Sequence, residues 1–422
     1  MTAAFAGSPG DRARVRAVAA ASIGNALEWF DFVVYGFFAV TMAKLFFPTG
    51  NESVSLLLAL ATFGVTFFVR PLGAIVLGGY ADRYGRKAAF TLTIGLMIIG
   101  TAMIAVTPVY ATVGLLAPLL IVLARIVQGV SAGGEFGSAT AFLAEQNPER
   151  RGFFGSWQFA SQGLTTILAT GFGVTLTSLL SSEQMERWGW RIPFIFGLLI
   201  APVAWYIRRH TAETVEFLAT KTSQTPLREA LADSKTRLAV GFGAVVLCTV
   251  AMYTVLFMPT YATRQLGLPA SGAFMASLLT GVIQVVLIPW VGAQSDRIGR
   301  LPLCFVAAFA TLIAVYPMFA WLAASPTLPT LLVVQAVMGV LMAVYMGGLP
   351  ALLTELFPIR VRTTGLSISY SFGVAIFGGF APFISAWLID VTGSKLAPSF
   401  YLMLAAVISL VALVAARRLG LR

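Results

Sequence analysis

Long apolar segments alternate with short polar ones along the whole chain. Each apolar segment holds about twenty residues, the length that a helix needs to cross the hydrocarbon core of a bilayer. The pattern predicts twelve spans, at 17–46, 53–80, 88–107, 113–143, 153–180, 191–207, 238–263, 272–294, 301–323, 330–354, 365–389 and 399–416. Backbone groups in lipid must be paired within a segment, and the alternating pattern of a β-barrel is missing. We therefore predict an all-α integral membrane protein.

Composition favours the same class. Of the 422 residues, 58% are hydrophobic and 11% are charged, whereas a soluble domain carries roughly 25% charged residues. We expect no signal peptide, because the first apolar stretch is long and contains Glu28 and Asp31. Cys248 and Cys304 lie in apolar segments without metal-ligand spacing, and we interpret them as small core residues.

The net charge of +11 comes from the loops. If both termini are cytoplasmic, most of the 28 Lys and Arg residues fall in cytoplasmic segments. The opposite face holds Lys44, Arg187, Arg191, Arg264 and Lys395. This positive-inside bias predicts an even number of spans and a multi-pass protein of the plasma (inner) membrane. The basic charge therefore indicates topology, and we expect no nucleic-acid partner.

Two motifs occur twice along the chain, at offsets of 214 and 210 residues. The first is Gly78-x3-Asp82-Arg83-Tyr84-Gly85-Arg86-Lys87, repeated as Gly292-x3-Asp296-Arg297-Ile298-Gly299-Arg300. The second is Glu145-x2-Pro148-x-Arg150, repeated as Glu355-x2-Pro358-x-Arg360. These repeats predict two related six-helix bundles, at 1–207 and 238–422, joined by a cytoplasmic linker at 208–237. Parallel halves around a central site are typical of alternating-access transporters.

The chain resembles the major facilitator superfamily over its full length. The loop motif at Gly78–Lys87 and its copy match the superfamily signature between helices 2 and 3 and between helices 8 and 9. Arg125-x2-Gln128-Gly129 resembles the second signature, on helix 4. The resemblance implies twelve transmembrane helices in two pseudo-symmetric six-helix bundles.

Finer motifs resemble the metabolite:proton symporter family within that superfamily. They are Gly24-Asn25-x2-Glu28-x2-Asp31-Phe32-x2-Tyr35-Gly36, Arg70-Pro71-Leu72-Gly73, Trp190-Arg191-Ile192-Pro193-Phe194 and Glu213-x2-Glu216-Phe217. Two others look most like citrate and tricarballylate proton symporters: Ser156-Trp157-Gln158-x2-Ser161-Gln162 and Leu353-Thr354-Glu355-x2-Pro358-x3-Arg362-Thr363. The resemblance implies a secondary active symporter that imports citrate or a related tricarboxylate with protons.

The ionisable side chains well inside the predicted spans all lie in the amino-terminal half: Glu28, Asp31, Arg70, Arg125 and Glu135. Charges within a bilayer are costly, so they normally face a cavity and pair with one another. We expect Arg125 to clamp a substrate carboxylate, because its planar guanidinium matches that group. The alternative is a structural salt bridge to helix 1. Arg70 is a second candidate, which otherwise locks helix 2 to a neighbour or reaches the interface.

Uncharged side chains complete the predicted binding site. Helical spacing places them on faces shared with the charged residues, and the carboxyl-terminal half contributes tyrosines. The candidates are Asn25, Tyr35, Gln128, Gln158, Gln162, Tyr253, Tyr345 and Tyr370. The alternative for the glutamines is a bridge between helices, and for the tyrosines it is packing with the hydroxyl group satisfied.

Proton coupling is predicted at Glu28, Asp31 or Glu135. Burial favours the protonated form of a carboxyl group, and a nearby arginine favours the ionised form. We expect one of these acids to pair with an arginine in the empty state. An incoming carboxylate then displaces the acid, which takes up a proton. The alternative for Asp31 and Glu135 is that they only fix helix packing.

The repeated loop motifs are predicted to form a gate. The resemblance implies that Asp82 and Asp296 hold the cytoplasmic ends of neighbouring helices together in the outward-facing state. Acids near helix N-termini and surface ion pairs each contribute about 1 kcal/mol or less, which suits a latch that opens in every cycle. The remaining candidates are Arg83, Arg86, Glu145, Arg297, Arg300 and Glu355.

We expect neither an enzyme nor a cofactor. The sole histidine, His210, lies in the linker, and no catalytic triad, Walker loop or metal-ligand cluster is present in the sequence. The expected partners are a small carboxylate, protons and the lipid bilayer, and the expected state is a monomer. Rival functions are symport of a dicarboxylate, 2-oxo acid or zwitterionic osmolyte, a transporter-like receptor, and efflux by antiport.

Overall fold

The computed structural model describes residues 9–84, 86–133, 135–198 and 234–421, and no strand occurs within these ranges. We number the long helices α1–α12 in chain order. They are α1 (Pro9–Phe37 and Ala39–Phe46), α2 (Glu52–Phe68 and Arg70–Tyr84), α3 (Arg86–Val106), α4 (Leu116–Ser131 and Glu135–Glu145), α5 (Arg151–Leu179), α6 (191–198), α7 (Lys235–Arg264), α8 (Ala270–Ile298), α9 (Arg300–Ala324), α10 (Leu328–Leu356), α11 (Arg362–Gly373, Val374–Gly378 and Ala381–Thr392) and α12 (Ala397–Arg418).

Short helical turns lie in the connections, at Tyr110–Val113, Pro148–Arg150, Ser182–Gln184, Met185–Gly189 and Ile359–Val361. Nine helices of the described ranges are long and apolar enough to cross a bilayer, and a shorter apolar helix covers Thr91–Val106. The helices α3, α5 and α6 fall outside these nine and complete the predicted twelve-helix membrane fold. That prediction is confirmed. Most of the predicted linker lies outside the described residues.

Local sequence explains where several helices begin and end. The Asn51 side chain accepts hydrogen bonds from the backbone N–H groups of Ser53 and Val54, at 2.9 and 3.2 Å, and so caps the start of α2. Gly393 ends α11 with a φ of 66°, a left-handed conformation that favours glycine. Large apolar side chains cover the outer surface, as at Phe68 and Ile75, which fits a lipid-facing shell.

The two halves meet most closely where α5 passes α8. A Cβ atom built on Gly152 would lie 2.3 Å from the carbonyl oxygen of Gly292, and one built on Gly292 would lie 2.5 Å from the carbonyl oxygen of Gly152. The two backbones can therefore approach this closely only because both residues are glycines and have no side chain. This contact lies on the side that the positive-inside rule predicts to be cytoplasmic, hereafter the predicted cytoplasmic side.

Packing closes the opposite side as well. A Cβ atom on Gly36 of α1 would lie 2.6 Å from the Leu256 side chain of α7, and one on Gly64 of α2 would lie 2.5 Å from the Phe380 ring. Arg264 of α7 forms an ion pair with Glu52 of α2. The described helices are thus in contact on both sides of the centre, and the conformation is occluded.

Candidate transport site

A small cavity lies at the centre, between the two halves. Its volume is about 20 Å³, enough for about one water molecule. Side chains from α1, α5, α7 and α8 line it, among them Trp29, Gln162, Thr166, Tyr253 and Gln284. Both halves therefore contribute to one central site, and the site is collapsed in this occluded conformation.

Arg125 is completely buried on α4. Its Nη1 donates to Gln128 Oε1 at 2.8 Å, and its Nη2 donates to the Phe32 carbonyl oxygen at 3.3 Å. Its Cζ also lies 4.7 Å from the Tyr35 ring centroid and 5.4 Å from that of Phe63. Cation–π contacts of this kind contribute up to about 2 kcal/mol when they are desolvated. The guanidinium is therefore held in place by uncharged groups.

Arg70 lies at the break in α2 and is also buried. Its Cζ is 4.7 Å from the Trp29 ring, 4.8 Å from the Phe32 ring and 4.7 Å from the Phe67 ring. Its Nε has no hydrogen-bond partner. The three rings enclose the positive charge and leave it donor capacity for an anion.

Aromatic side chains separate both arginines from the cavity. Trp29 and Tyr253 line the cavity, whereas neither arginine does. Tyr253 packs on Phe63 and Phe67, with ring centroids 5.7 and 5.1 Å apart, and these rings in turn contact the guanidinium groups. The four rings of Trp29, Phe63, Phe67 and Tyr253 form what we call the aromatic layer. Neither arginine lines the cavity in the occluded conformation, because this layer intervenes.

Asp31 is buried and is connected to Arg125 indirectly. Asp31 Oδ2 accepts a hydrogen bond from Thr101 Oγ1 at 3.0 Å, and Thr101 Oγ1 accepts one from Gln128 Nε2 at 3.0 Å. Gln128 Oε1 accepts from Arg125, as described above. Asp31 therefore does not contact Arg125 directly, because two neutral side chains lie between them, and which acid pairs with an arginine stays a prediction. Sequence patterns missed Thr101, since it is one of three threonines in the apolar α3 and no periodic pattern sets it apart.

The other two candidate acids for proton coupling are Glu28 and Glu135. Glu28 is half-buried on α1, about one helical turn before Asp31. The Glu135 side chain lies outside the described residues, so its predicted role stays a prediction.

Asn25 and Gln158 bind each other across the α1–α5 contact. Asn25 Nδ2 donates to Ser161 Oγ at 2.7 Å, and Gln158 Nε2 donates to Asn25 Oδ1 at 3.3 Å. These bonds tie the two helices together, as the alternative interpretation of the glutamines holds. Gln162 differs, because it lines the cavity and neither atom of its side-chain amide has a hydrogen-bond partner. Gln162 thus lies where a solute in the cavity would contact it.

The candidate tyrosines occupy different surroundings. The hydroxyl groups of Tyr35, Tyr253 and Tyr370 are buried and have no hydrogen-bond partner. The Tyr370 ring stacks on Phe136, with centroids 3.4 Å apart, which joins α11 to α4. Tyr345 instead donates to the Ala244 carbonyl oxygen at 2.7 Å, beside a separate cavity of the carboxyl-terminal half. Its hydroxyl proton is thus used within the carboxyl-terminal half, as the alternative interpretation of the tyrosines holds.

Asp296 links the two halves on the predicted cytoplasmic side. Its carboxylate accepts hydrogen bonds from the backbone N–H groups of Gly152 and Phe153, at 2.7 and 3.0 Å. These are among the first N–H groups of α5, which have no partner within the helix and carry the positive end of its dipole. Arg300 binds the same carboxylate at 2.8 Å. This is a contact that must break for the halves to separate here.

A second link joins α4 to α11. Arg362 Nη1 lies 2.8 Å from Glu145 Oε1, and both side chains are largely buried. Glu145 thus pairs with Arg362, which was not among the gate candidates although its motif had been noted. Glu355 Oε1 lies 3.2 Å from Arg300 Nε, and Arg297 is exposed. The side chains of the remaining candidates, Asp82, Arg83 and Arg86, lie outside the described residues.

Substituting Asp296→Asn should lower the rate of transport several-fold and change substrate affinity little. The asparagine loses the charge that binds the start of α5, which is worth about 0.3–2 kcal/mol. The turnover rate and the dissociation constant of the purified protein would be measured side by side, with Asp390→Asn, an exposed residue of α11, as the control. A large loss of affinity with an unchanged rate would contradict the latch role.

Comparison with known proteins agrees with this geometry. Residues 17–241 match the family of sugar (and other) transporters, and residues 275–421 match the Major Facilitator Superfamily. A citrate-proton symporter of Klebsiella pneumoniae is 38% identical over 405 residues, covering 95% of this chain and 91% of that protein. A proline/betaine transporter of Salmonella typhimurium is 34% identical over 412 residues, covering 94% and 82%.

A solved structure shares the fold. The crystal structure of a D-xylose-proton symporter superposes with a TM-score of 0.73 at 17% sequence identity, and covers 95% of this chain and 97% of that one. The family models and the curated relatives show that the chain is a membrane transporter and not an enzyme. The chain belongs to the major facilitator superfamily and is a multi-pass inner-membrane protein, and its predicted likeness to citrate-proton symporters is confirmed.

Proposed function

We propose that this protein is a proton symporter that imports citrate or a related tricarboxylate by alternating access, with both termini in the cytoplasm. The observation that carries the proposal is the pair of buried arginines behind the aromatic layer that lines the central cavity. Relatives whose names record citrate-proton symport support it, at 38 and 39% identity. Arg125 and Arg70 bind the substrate carboxylates, and Gln162 and Tyr253 supply hydrogen bonds from the cavity wall.

The surroundings of Arg125 favour an anionic substrate. Its described partners are an amide oxygen, a backbone carbonyl oxygen and two aromatic rings, all of them neutral. A carboxylate forms stronger, charge-assisted hydrogen bonds with a guanidinium than neutral acceptors do. An entering anion therefore replaces weak partners with strong ones. A second buried cation, on Arg70, extends this preference to substrates with more than one negative charge.

Transport requires the aromatic layer to move. In the occluded conformation, Trp29 and Tyr253 lie between the cavity and the guanidinium groups, and the cavity is too small for an organic anion. As the halves separate on one side, α7 carries Tyr253 away from Phe63 and Phe67, which lie on α2. The arginines then face the open side. Closure on that side returns the rings and commits the bound anion to release on the other.

Symport of a zwitterionic osmolyte is the second candidate, because proline/betaine transporters are also relatives, at 34% identity. A zwitterion carries one carboxylate and one positive group. It would use one arginine and suffer repulsion from the other. The same test includes a 2-oxo dicarboxylate, which would use both arginines.

Purified protein in liposomes, with a pH gradient that is acidic outside, should accumulate labelled citrate more strongly than labelled 2-oxoglutarate or proline. A protonophore should abolish this accumulation, because it removes the gradient and leaves the protein unchanged. Accumulation of proline without citrate would overturn the tricarboxylate assignment. Citrate uptake that is insensitive to the protonophore would overturn proton coupling.

A further inference from the structure

A continuous hydrogen-bond chain joins the candidate anion site to a buried carboxyl group. It runs from Arg125 Nη1 to Gln128 Oε1, from Gln128 Nε2 to Thr101 Oγ1, and from Thr101 Oγ1 to Asp31 Oδ2, with lengths of 2.8, 3.0 and 3.0 Å. Arg125, Gln128 and Thr101 are completely buried, and Asp31 nearly so. The chain crosses from α4 through α3 to α1.

The direction of every bond in this chain is determined by chemistry. A guanidinium only donates, so the oxygen of the Gln128 amide must face Arg125 and its nitrogen must face Thr101. The Thr101 hydroxyl accepts from that nitrogen, and its single proton is directed to Asp31. Arg125 therefore orders the whole chain, and this order reaches the Asp31 carboxyl group across two intervening side chains.

We propose that Thr101 and Gln128 form a relay through which occupancy of Arg125 controls the protonation of Asp31. This inference rests on the proposed proton symport. In the empty protein, Arg125 holds Gln128, and the relay keeps the Asp31 carboxylate as an acceptor. When a substrate carboxylate takes the guanidinium, Gln128 Oε1 loses its donor, and Thr101 is released from its fixed orientation. The Asp31 carboxylate then binds one proton from the open side, and it gives up that proton on the other side after the substrate leaves.

The proton has a defined place. Asp31 Oδ1 accepts no hydrogen bond and lies against Gly197 of α6, where a Cβ atom would be 2.1 Å away. The charged groups that act on Asp31 are Glu28, one turn away on the same helix, and Arg125 across the relay. Thr101 itself touches neither the cavity nor a substrate position, so it acts as a positioning residue.

Gly100, next to Thr101, makes the relay possible. A Cβ atom at Gly100 would lie 2.5 Å from the Gln128 Cγ atom. A side chain at this position would push Gln128 away from both Arg125 and Thr101. Gly100 thus leaves the space that Gln128 occupies, and its neighbour Thr101 supplies the hydroxyl group that Gln128 binds.

The test compares Thr101→Val, which keeps the shape but removes the hydroxyl, with Thr101→Ser, which keeps the hydroxyl. The matched control is Thr311→Val on α9, a buried threonine whose hydroxyl binds only the Ala307 carbonyl oxygen of its own helix. Each variant is assayed in liposomes for accumulation driven by a pH gradient and for exchange without one. Both assays use citrate, 2-oxoglutarate and proline, over the pH range in which the wild type is active.

Thr101→Val should lower gradient-driven accumulation at least about tenfold, the effect of losing one hydrogen bond to a charged group. Exchange should fall far less, its dependence on pH should flatten, and Thr101→Ser should restore both. Wild-type accumulation in Thr101→Val would overturn the relay. A parallel loss of exchange that serine does not restore would show a structural role only, which also overturns it.

The two proposals fail in different ways. If the wild type accumulates proline and not citrate, the tricarboxylate assignment fails, and the relay is tested with proline as the label. If the wild type accumulates none of the three substrates in a pH gradient, proton coupling is wrong and the relay falls with it.

Discussion

Substituting Arg125→Lys should weaken citrate binding by about 10- to 100-fold, corresponding to about 1.4–2.8 kcal/mol. Lysine keeps the charge but has a compact ammonium group, which cannot form the paired hydrogen bonds of a guanidinium with a carboxylate. It also cannot span Gln128 and the Phe32 carbonyl oxygen at the same time in the observed geometry. The dissociation constant would be measured by calorimetry on the purified protein.

The control for Arg125 is Arg264→Lys. Arg264 forms an ion pair with Glu52 at the surface, and such pairs contribute little. Its citrate affinity should therefore match that of the wild type. Replacing the buried arginine also removes the donor of Gln128 and so could destabilise the fold. The melting temperature of Arg125→Lys is therefore measured as well, to separate a loss of citrate binding from a loss of folding. Unchanged citrate affinity in a folded Arg125→Lys protein would show that Arg125 only fastens α4 to α1.

Substituting Asp31→Asn should abolish accumulation of substrate against its gradient, while exchange falls far less. Asparagine has nearly the same shape and still accepts from Thr101, but it cannot take up a proton. A pH difference of two units drives about 100-fold accumulation per coupled proton, so this loss is the largest effect that we expect. Accumulation and exchange would be measured in the same liposomes, with Asp390→Asn as the exposed control.

Glu28→Gln is the informative comparison for Asp31→Asn. Glu28 is only half-buried, and Asp31 is the acid that the relay reaches. We therefore expect Glu28→Gln to keep part of its accumulation. If instead Glu28→Gln abolishes accumulation and Asp31→Asn does not, Glu28 is the coupling acid and the relay leads to the wrong carboxyl group.

The occluded geometry explains why a buried cation is tolerated without a direct anion partner. Burial of a charge is costly unless it is hydrogen-bonded or paired. Arg125 satisfies part of this need with an amide, a carbonyl oxygen and two rings, while its Nε has no hydrogen-bond partner. Under the proposed function, these neutral partners stabilise the guanidinium, and a carboxylate would add stronger, charge-assisted hydrogen bonds. Under the proposed function, this balance at Arg125 is the physical reason that a carboxylate is bound in preference to a neutral solute.

The sequence by itself determined the class of protein and the fold. Lipid admits only segments that satisfy their own backbone, so twelve apolar segments of the right length predict twelve helices. The repeated loop motifs predict two related halves, because two separate motifs recur at nearly the same offset along the chain. The burial of Arg70, Arg125 and Asp31 was also predictable, because ionisable residues within spans avoid lipid.

The tertiary structure alone decided which of these residues meet. Asp31 and Thr101 are 70 positions apart, and Asp296 and Gly152 are 144 apart. Helical periodicity tells which residues share a face, but it does not tell which helix that face contacts. For this reason the aromatic layer, the Thr101 relay and the pairing of Glu145 with Arg362 had no counterpart in the sequence patterns. They arise from side chains of separate helices that come together only when the two bundles pack.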